Sequence, residues 1–227
     1  MPHDHQSKPS ILLNSLEGKR KLKSHERTGA IILAGGHSTR MGSNKALLRL
    51  RPAGPTLIES VVARLREANL PPTLLVTNTP HDYAFLDIQM VLDDIEGVGA
   101  LGGILTALSH STHTRNLIVA CDMPLLNPTL LKHMASLPND NDAILPRWTN
   151  IKGRTQVETL HAIYSTRCIE PVRRRIVESK LKVADLLNDI SVRYLEEPEL
   201  RRYDPHLNSF RNINTPGELE AMRIENY

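Results

Sequence analysis

Two basic side chains follow a pair of glycines at the end of an apolar run. In "AIILAGGHSTRMGSNKALL" (residues 30–48), the run ends at Gly35 and Gly36, and Arg40 and Lys45 come next. Glycine lets backbone N–H groups approach a ligand closely, and fixed positive charges favour phosphate oxygens. The stretch is neither a Walker P-loop nor a dinucleotide fingerprint, because it lacks both the G-K-[ST] and the G-x-G-x-x-G spacing. It predicts a site for a nucleoside triphosphate; the alternative is a glycine turn with solvated basic residues.

A carboxylate follows another apolar run. In "VACDMP" (residues 119–124), Asp122 stands just before Met123 and a proline that prevents the strand from continuing. Mg²⁺ is commonly held by one or two carboxylates together with substrate phosphates, so Asp122 is a candidate magnesium ligand. The alternative is a helix N-cap. The neighbouring Cys121 is expected to be a small buried residue and not a nucleophile.

A third group combines carboxylates with glycines. Asp93 and Asp94 precede "IEGVGALGG" (residues 95–103), and we expect Asp94 to accept from a nucleotide base or to bind metal. An Asx turn is the alternative for this carboxylate. Gly99, Gly102 and Gly103 would let the backbone pack against a flat base.

The elements that must position these residues alternate between strands and helices. Apolar runs predict strands, and "TLIESVVARLREANL" (residues 56–70) has the helical period. "TPGELEAMRI" (residues 215–224) predicts a closing helix with a capping box between Thr215 and Glu218. We therefore expect an α/β three-layer sandwich with a mostly parallel, Rossmann-like sheet. Its ligand crevice should lie outside the carboxyl ends of the strands, where the glycines, Asn78 and the aspartates fall.

The charge distribution argues against nucleic acid as a partner. The chain of 227 residues has a formal net charge of +3, and residues 1–27 alone carry six Lys/Arg and three Asp/Glu. The excess therefore belongs to a basic segment and not to a basic face of the remaining chain. We expect residues 1–27 to be a flexible N-terminal extension and residues 28–227 to be one folded domain that contains the nucleoside triphosphate site.

The sequence also predicts neither a membrane nor a secreted protein. Its longest uncharged stretch is interrupted by glycines, and "AIILA" is too short for the apolar region of a secretory signal. Two cysteines, Cys121 and Cys168, indicate neither a zinc site nor a disulfide framework. A reducing cytoplasm is the expected compartment.

Four motifs in order resemble those of the molybdenum cofactor guanylyltransferases. "LAGGHSTRMGSNKALL" (residues 33–48) is similar to the nucleotidyltransferase signature L-A-G-G-x-S-x-R-M-G-x-x-K. "GALGGI", "ACDMPLL" and "RNINTPGELE" are similar to the later motifs of that family in order and spacing. The resemblance extends from about Ala30 to Leu219. It implies transfer of GMP from GTP to the phosphate of molybdopterin, with Mg²⁺, and transient contact with proteins that make or accept the cofactor.

The resemblance also implies roles for individual residues. Arg40, Lys45 and Asp122 would be catalytic, and Asp122 would also hold Mg²⁺. Asn212 and Asn214 would lie near the pterin. The nucleotide and substrate contacts implied in this way are Leu33, Ala34, Gly35, Gly36, Lys45, Asn78, Asp94, Gly99, Gly102, Asn212 and Asn214.

One segment departs from the family pattern. Val157-Glu158-Thr159 replaces the H-P-T stretch that some members have, and we expect structural roles for Glu158 and His161. The nearest alternative function is a CTP-dependent cytidylyltransferase acting on the same pterin, although that branch usually has an A-A-G first loop. The motifs also leave open a transferase for a different small phosphorylated acceptor and a nucleotide-binding protein without catalysis.

Overall fold

The apolar runs form one mixed sheet of eight strands in a computed structural model that describes residues 27–35, 44–138 and 140–224. The strands are β1 (Gly29–Leu33), β2 (Pro72–Val76), β3 (Met90–Val91), β4 (Arg115–Ala120), β5 (Ala143–Thr149), β6 (Thr155–Val157), β7 (His161–Ser165) and β8 (Val192–Glu196). The helices are α1 (Leu57–Glu67), α2 (Gly99–His110), α3 (Pro128–Ser136), α4 (Ile169–Val177), α5 (Val183–Leu186), α6 (Glu197–Tyr203) and α7 (Pro216–Ile224). Short 3-10 helices span Lys45–Leu47, Pro80–Leu86, Thr166–Cys168 and Asn208–Phe210.

The sheet is parallel in its first half and mixed in its second. Its order is β3-β2-β1-β4-β7-β5-β6, with β8 beside β5. β1, β2, β3 and β4 run parallel, while β7 is antiparallel to both β4 and β5. β5 therefore points the same way as β4, so its carboxyl end lies on the same edge of the sheet. The predicted fold class, with strands of mostly one direction, is confirmed.

Two apolar layers cover the sheet because successive strand residues face opposite sides. Ile32 of β1 belongs to the core that α1 and α3 cover, and Ile31 belongs to the core that α2 and α4 cover. Both side chains are fully buried. This arrangement is the three-layer sandwich, and it leaves the carboxyl edge of the strands free for a site.

Helix caps follow the sequence signals. Thr56 caps α1 by accepting from Glu59 N–H, and Glu59 Oε2 accepts from Thr56 N–H at 2.7 Å. At α7, Glu218 Oε2 accepts from Thr215 N–H at 2.9 Å, and Thr215 Oγ1 accepts from Glu218 N–H at 3.2 Å. The capping box predicted for the last helix is therefore present.

Some elements differ from the prediction. β3 has only two residues, and α3, α6 and β6 were not predicted from the apolar pattern. The stretch "ETLHAIYS" (residues 158–165) forms a strand only from His161, because residues 158–160 interrupt the pairing with β5 between β6 and β7. The two strands pair with different halves of β5, so they form one interrupted antiparallel strand along it.

No helix within the described ranges is long and apolar enough to cross a membrane. The predicted N-terminal extension lies outside those ranges except for Arg27.

Candidate active site

A cavity of about 170 Å³ opens at the carboxyl ends of β1, β2 and β4, against the first turn of α2. Its lining includes five residues of the predicted site: Leu33, Gly35, Lys45, Gly99 and Asp122. They come from four separate stretches of the chain. The cavity therefore lies where the ligand crevice was expected, outside the carboxyl ends of the parallel strands.

Lys45 and Asp122 form the charged centre of this cavity. Lys45 Nζ lies 2.5 Å from Asp122 Oδ2, and the same ammonium donates to Asn214 Oδ1 at 3.1 Å. Asp122 is 6% exposed, and its Oδ1 is buried without a hydrogen-bond partner among the described residues. A carboxylate oxygen in that position can accept a cation, because burial of an unsatisfied charged acceptor is costly. The donor set therefore fits Mg²⁺ held by one carboxylate together with phosphate oxygens.

Asp93 is the carboxylate of the β3–α2 loop that reaches the cavity. Its Oδ2 accepts from Asn78 Nδ2 at 3.2 Å, and Asn78 Oδ1 accepts from Asp93 N–H at 3.0 Å. Its Oδ1 is buried and has no partner among the residues that the structure describes. Burial raises the pKa of this carboxyl above its ordinary value. Asn78 thus holds Asp93 in place at the cavity. The sequence analysis named the neighbouring Asp94 for the nucleotide contact and did not single out Asp93.

Asp94 is directed elsewhere. Its carboxylate lies 2.9 Å from His110 Nε2 on α2, and its backbone N–H donates to Thr106 Oγ1 at 2.9 Å. Two adjacent aspartates are equivalent in a one-dimensional pattern. Only the turn of the backbone decides which of them faces the strand ends.

The glycines have two different functions in packing. A Cβ on Gly35 would lie 2.9 Å from Asp93 Oδ2, so the bare backbone gives the carboxylate its place at the cavity. Gly99 and Gly103 line the cavity, whereas Gly102 is buried against Val98, whose Cγ2 would lie 2.3 Å from an added Cβ. Gly102 therefore permits the close approach of α2 and its preceding loop. It does not line the cavity.

The first turn of α2 offers donors to an anion. No side chain of the described residues caps this helix of 12 residues, and its N-terminal residues Gly99 and Ala100 line the cavity. The first N–H groups of a helix lack partners within the helix and carry partial positive charge. They can therefore donate to phosphate or carbonyl oxygens of a ligand.

The segment 208–214 follows the edge of the sheet from β5 to Lys45. Phe210 stacks on Trp148 of β5 with ring centroids 4.6 Å apart, and Ile213 N–H donates to the carbonyl of Asp122 at 3.1 Å. Asn212 Oδ1 is buried without a partner within the described part of the chain. At the end of the segment, Asn214 Oδ1 accepts from Lys45 Nζ. One segment thus joins an aromatic pair, a free amide oxygen and the charged centre.

His161 packs against this segment, and Glu158 lies in the link between β6 and β7. His161 is fully buried, and its ring is 5.1 Å from that of Phe210. Neither ring nitrogen has a partner of hydrogen-bond geometry among the described residues, although the backbone of Ser209 is close. Burial lowers the pKa of His161 to about 4. Glu158 Oε1 accepts from Leu160 N–H at 2.8 Å, and burial raises the pKa of its carboxyl.

Cys121 lines the cavity beside Asp122 but is a poor nucleophile. Burial, with a smaller effect of the Asp122 charge, raises the pKa of its thiol to about 12. The thiol therefore stays protonated at neutral pH. Of the remaining candidates, Ala34 continues the pairing of β1 by donating its N–H to Val76. Gly36 and Arg40 lie outside the described residues.

Comparison with known proteins identifies the family of this chain. Residues 30–192 match the MobA-like NTP transferase domain. A probable molybdenum cofactor guanylyltransferase of Chloroflexus aggregans is 35% identical over 204 residues, which cover 88% of this chain and 95% of the relative. This chain belongs to the molybdenum cofactor guanylyltransferase family. It is therefore a nucleotidyltransferase, as the motifs predicted.

Two further relatives support the assignment along most of the chain. The molybdenum cofactor guanylyltransferase of Desulfosudis oleivorans is 34% identical and covers 84% of this chain and 91% of its own. The crystal structure of molybdopterin-guanine dinucleotide biosynthesis protein A from Archaeoglobus fulgidus superposes with a TM-score of 0.72 at 28% identity. That match covers 87% of this chain and 98% of the other.

Proposed function

We propose that this protein transfers GMP from GTP to the terminal phosphate of molybdenum-bearing molybdopterin, forming molybdopterin guanine dinucleotide and releasing pyrophosphate. The observation that carries the proposal is the pairing of Lys45 with a buried Asp122 in the cavity at the strand ends. The family membership of the chain supports the same reaction.

The reaction requires no general base from the protein. A phosphate monoester has its second pKa near ~6, so it is largely dianionic at neutral pH and can attack the α-phosphorus directly. The enzyme must instead bring two anions together and stabilise the charge that accumulates on the leaving pyrophosphate. Lys45, the first N–H groups of α2 and the predicted Arg40 supply positive charge for this purpose.

Asp122 is the residue that would hold Mg²⁺. When bound, the ion would neutralise phosphate charge. The Oδ1 of Asp122, which has no hydrogen-bond partner among the residues that the structure describes, supports this role. Lys45 Nζ then remains free to turn from Asp122 Oδ2 towards phosphate oxygens, since a lysine ammonium is a mobile point charge on a flexible stem.

Asp93 supports guanine over cytosine. A carboxylate can accept two parallel hydrogen bonds from the N1–H and the 2-amino group of guanine, and cytosine lacks that pair of donors. Asp93 lines the cavity, and its buried Oδ1 has no partner within the described ranges. We assign it to the base edge, with Asn78 holding it in place.

The segment 208–214 supports an acceptor site for a flat heterocycle. Trp148 is half-buried and stacks with Phe210, and aromatic platforms of this kind bind flat ring systems. Asn212 Oδ1 can accept from an N–H group of a pterin. Asn214 follows Phe210 by four positions, a reach of at most about 14 Å in extended chain. One acceptor molecule can therefore have its phosphate at Lys45 and its ring near Trp148.

The test is to incubate the protein with Mg²⁺, molybdate-loaded molybdopterin and either GTP or CTP, and to measure pyrophosphate. We expect release with GTP only. Release with CTP alone would retain the mechanism and overturn the assignment of Asp93 to guanine. Absence of release with both nucleotides, despite nucleotide binding, would point to another acceptor or to a protein without catalysis.

A further inference from the structure

The three-residue helix that carries Lys45 is held by groups outside the cavity. Lys45–Leu47 is a single 3-10 turn, an element whose hydrogen-bond geometry is poorer than that of an α-helix. Its N-cap is Asn44, whose Oδ1 accepts from Ala46 N–H at 3.2 Å. The direction in which Lys45 leaves the backbone therefore depends on where the Asn44 side chain lies.

The Asn44 side chain is fixed in turn by two residues of the 3-10 helix Pro80–Leu86. Tyr83 donates its hydroxyl to Asn44 Oδ1 at 3.0 Å, and Asn44 Nδ2 donates to Asp82 Oδ2 at 2.9 Å. Tyr83 is 1% exposed, so its ring is held by the core. Each of the two amide ends of Asn44 thus has a partner from the same helix.

We infer that Asn44, Asp82 and Tyr83 form a clamp that positions Lys45 for the transfer reaction. Within the described part of the chain, Asp82 and Tyr83 are not among the residues that line the cavity, and the clamp reaches Lys45 through the backbone turn. These three are positioning residues. In this position Lys45 Nζ lies 2.5 Å from Asp122. A small rotation of the turn would move the ammonium away from Asp122 and from the phosphates that bind beside it. A misplacement of about 1 Å can cost on the order of 10²-fold in rate.

The hydrogen-bond directions supply a matched set of variants. In Asn44→Asp, the cap and the bond from Tyr83 are retained, but a carboxylate replaces the amide donor and faces Asp82. Adding Asp82→Asn restores the hydrogen bond in the opposite direction, because the amide is then at position 82 and the carboxylate at position 44. Tyr83→Phe removes only the hydroxyl.

The inference rests on the proposed function, because the assay is GTP-dependent pyrophosphate release with molybdopterin. We expect Asn44→Asp to lower kcat about 10-fold, Tyr83→Phe to lower it about threefold, and Asn44→Asp/Asp82→Asn to return within about threefold of the parent. Urea unfolding of each variant separates loss of fold from loss of position. A double variant no more active than Asn44→Asp, or an unaffected Asn44→Asp, would overturn the clamp.

A second readout asks whether the clamp acts through Lys45. The dissociation constant for Mg-GTP is measured in the parent and in Lys45→Ala, each with and without Asn44→Asp. We expect Asn44→Asp to weaken binding in the parent and to have no further effect in Lys45→Ala, since coupled residues are non-additive. Equal effects in both backgrounds would overturn the inference. If the parent binds GTP with the expected coupling but releases no pyrophosphate, the proposed function fails and the clamp stands.

Discussion

Lys45 and Asp122 are 77 positions apart in the chain, yet Lys45 Nζ lies 2.5 Å from Asp122 Oδ2 at the carboxyl edge of the sheet. β1 and β4 are neighbours and run parallel, so the segments that follow them meet at one point. The pair therefore places the positive charge that would bind a triphosphate beside the carboxylate that would hold Mg²⁺.

Removing either member of this pair should abolish most of the turnover. We expect Lys45→Ala and Asp122→Ala each to lower kcat on the order of 10²-fold or more, the loss typical of one electrostatic donor to a developing charge. Pyrophosphate release under saturating GTP measures the effect. Lys152→Ala, at an exposed lysine of the β5–β6 turn, is the control and should retain parental activity. Near-parental turnover in Lys45→Ala or Asp122→Ala would refute the role of that residue.

The adjacent aspartates provide a matched pair. Asp93→Asn should raise the KM for GTP about 10-fold, because it removes an ionised acceptor at the cavity. Asp94→Asn should leave that KM within about twofold, because Asp94 faces His110. Steady-state kinetics with GTP as the varied substrate test both. The reverse order of effects would return the nucleotide contact to Asp94.

The raised pKa of Asp93 predicts a pH effect on the same contact. As pH falls through the raised pKa, Asp93 gains a proton and no longer accepts two bonds, so GTP affinity should decrease. Asp93→Asn should show a flatter profile of GTP affinity against pH than the parent. Identical profiles would exclude Asp93 as the titrating group.

Buried His161 should make the fold less stable in mild acid. Its pKa is about 4 in the folded chain and about 6.5 when unfolded, so the unfolded state binds more protons between these values. The free energy of unfolding should therefore fall as pH is lowered from 6.5 towards 4, by roughly 3 kcal/mol in total. His161→Phe, which removes the titrating ring, should abolish most of that slope.

Urea unfolding between pH 5 and 6.5 measures this slope. Carboxyls with a lowered pKa, such as that of Asp142, lose their contribution to the free energy of unfolding mainly below this pH window. An unchanged slope in His161→Phe would assign the pH dependence to other groups.

Trp148 should affect the acceptor and not the nucleotide. We expect Trp148→Ala to raise the KM for molybdopterin about 10-fold, because stacking on an aromatic ring contributes about 1–3 kcal/mol per heterocycle. The KM for GTP should stay near the parental value, and Trp148→Phe should recover most of the loss. Ile151→Ala, at a fully exposed site in the same hairpin, is the control. A rise in both KM values would indicate a general disturbance of the sheet edge.

The sequence by itself determined the fold class, the family and the charged centre. Apolar period, capping residues such as Thr215 and Glu218, and the position of Lys45 and Asp122 beyond strand ends are local properties. Local properties can be read from the sequence alone. Because parallel strands end at the same edge of the sheet, residues that follow different strands are then expected at one location.

Only the tertiary structure decided which of two neighbouring residues faces the cavity. Asp93 and Asp94 are the same residue type at adjacent positions, and so are Gly102 and Gly103. The backbone turns between adjacent positions, so the two members of each pair face different surroundings. The clamp on Asn44 and the stack of Trp148 on Phe210 were also invisible in the sequence. Each depends on contacts between segments distant along the chain, and packing of the completed core, not local propensity, determines where those segments meet.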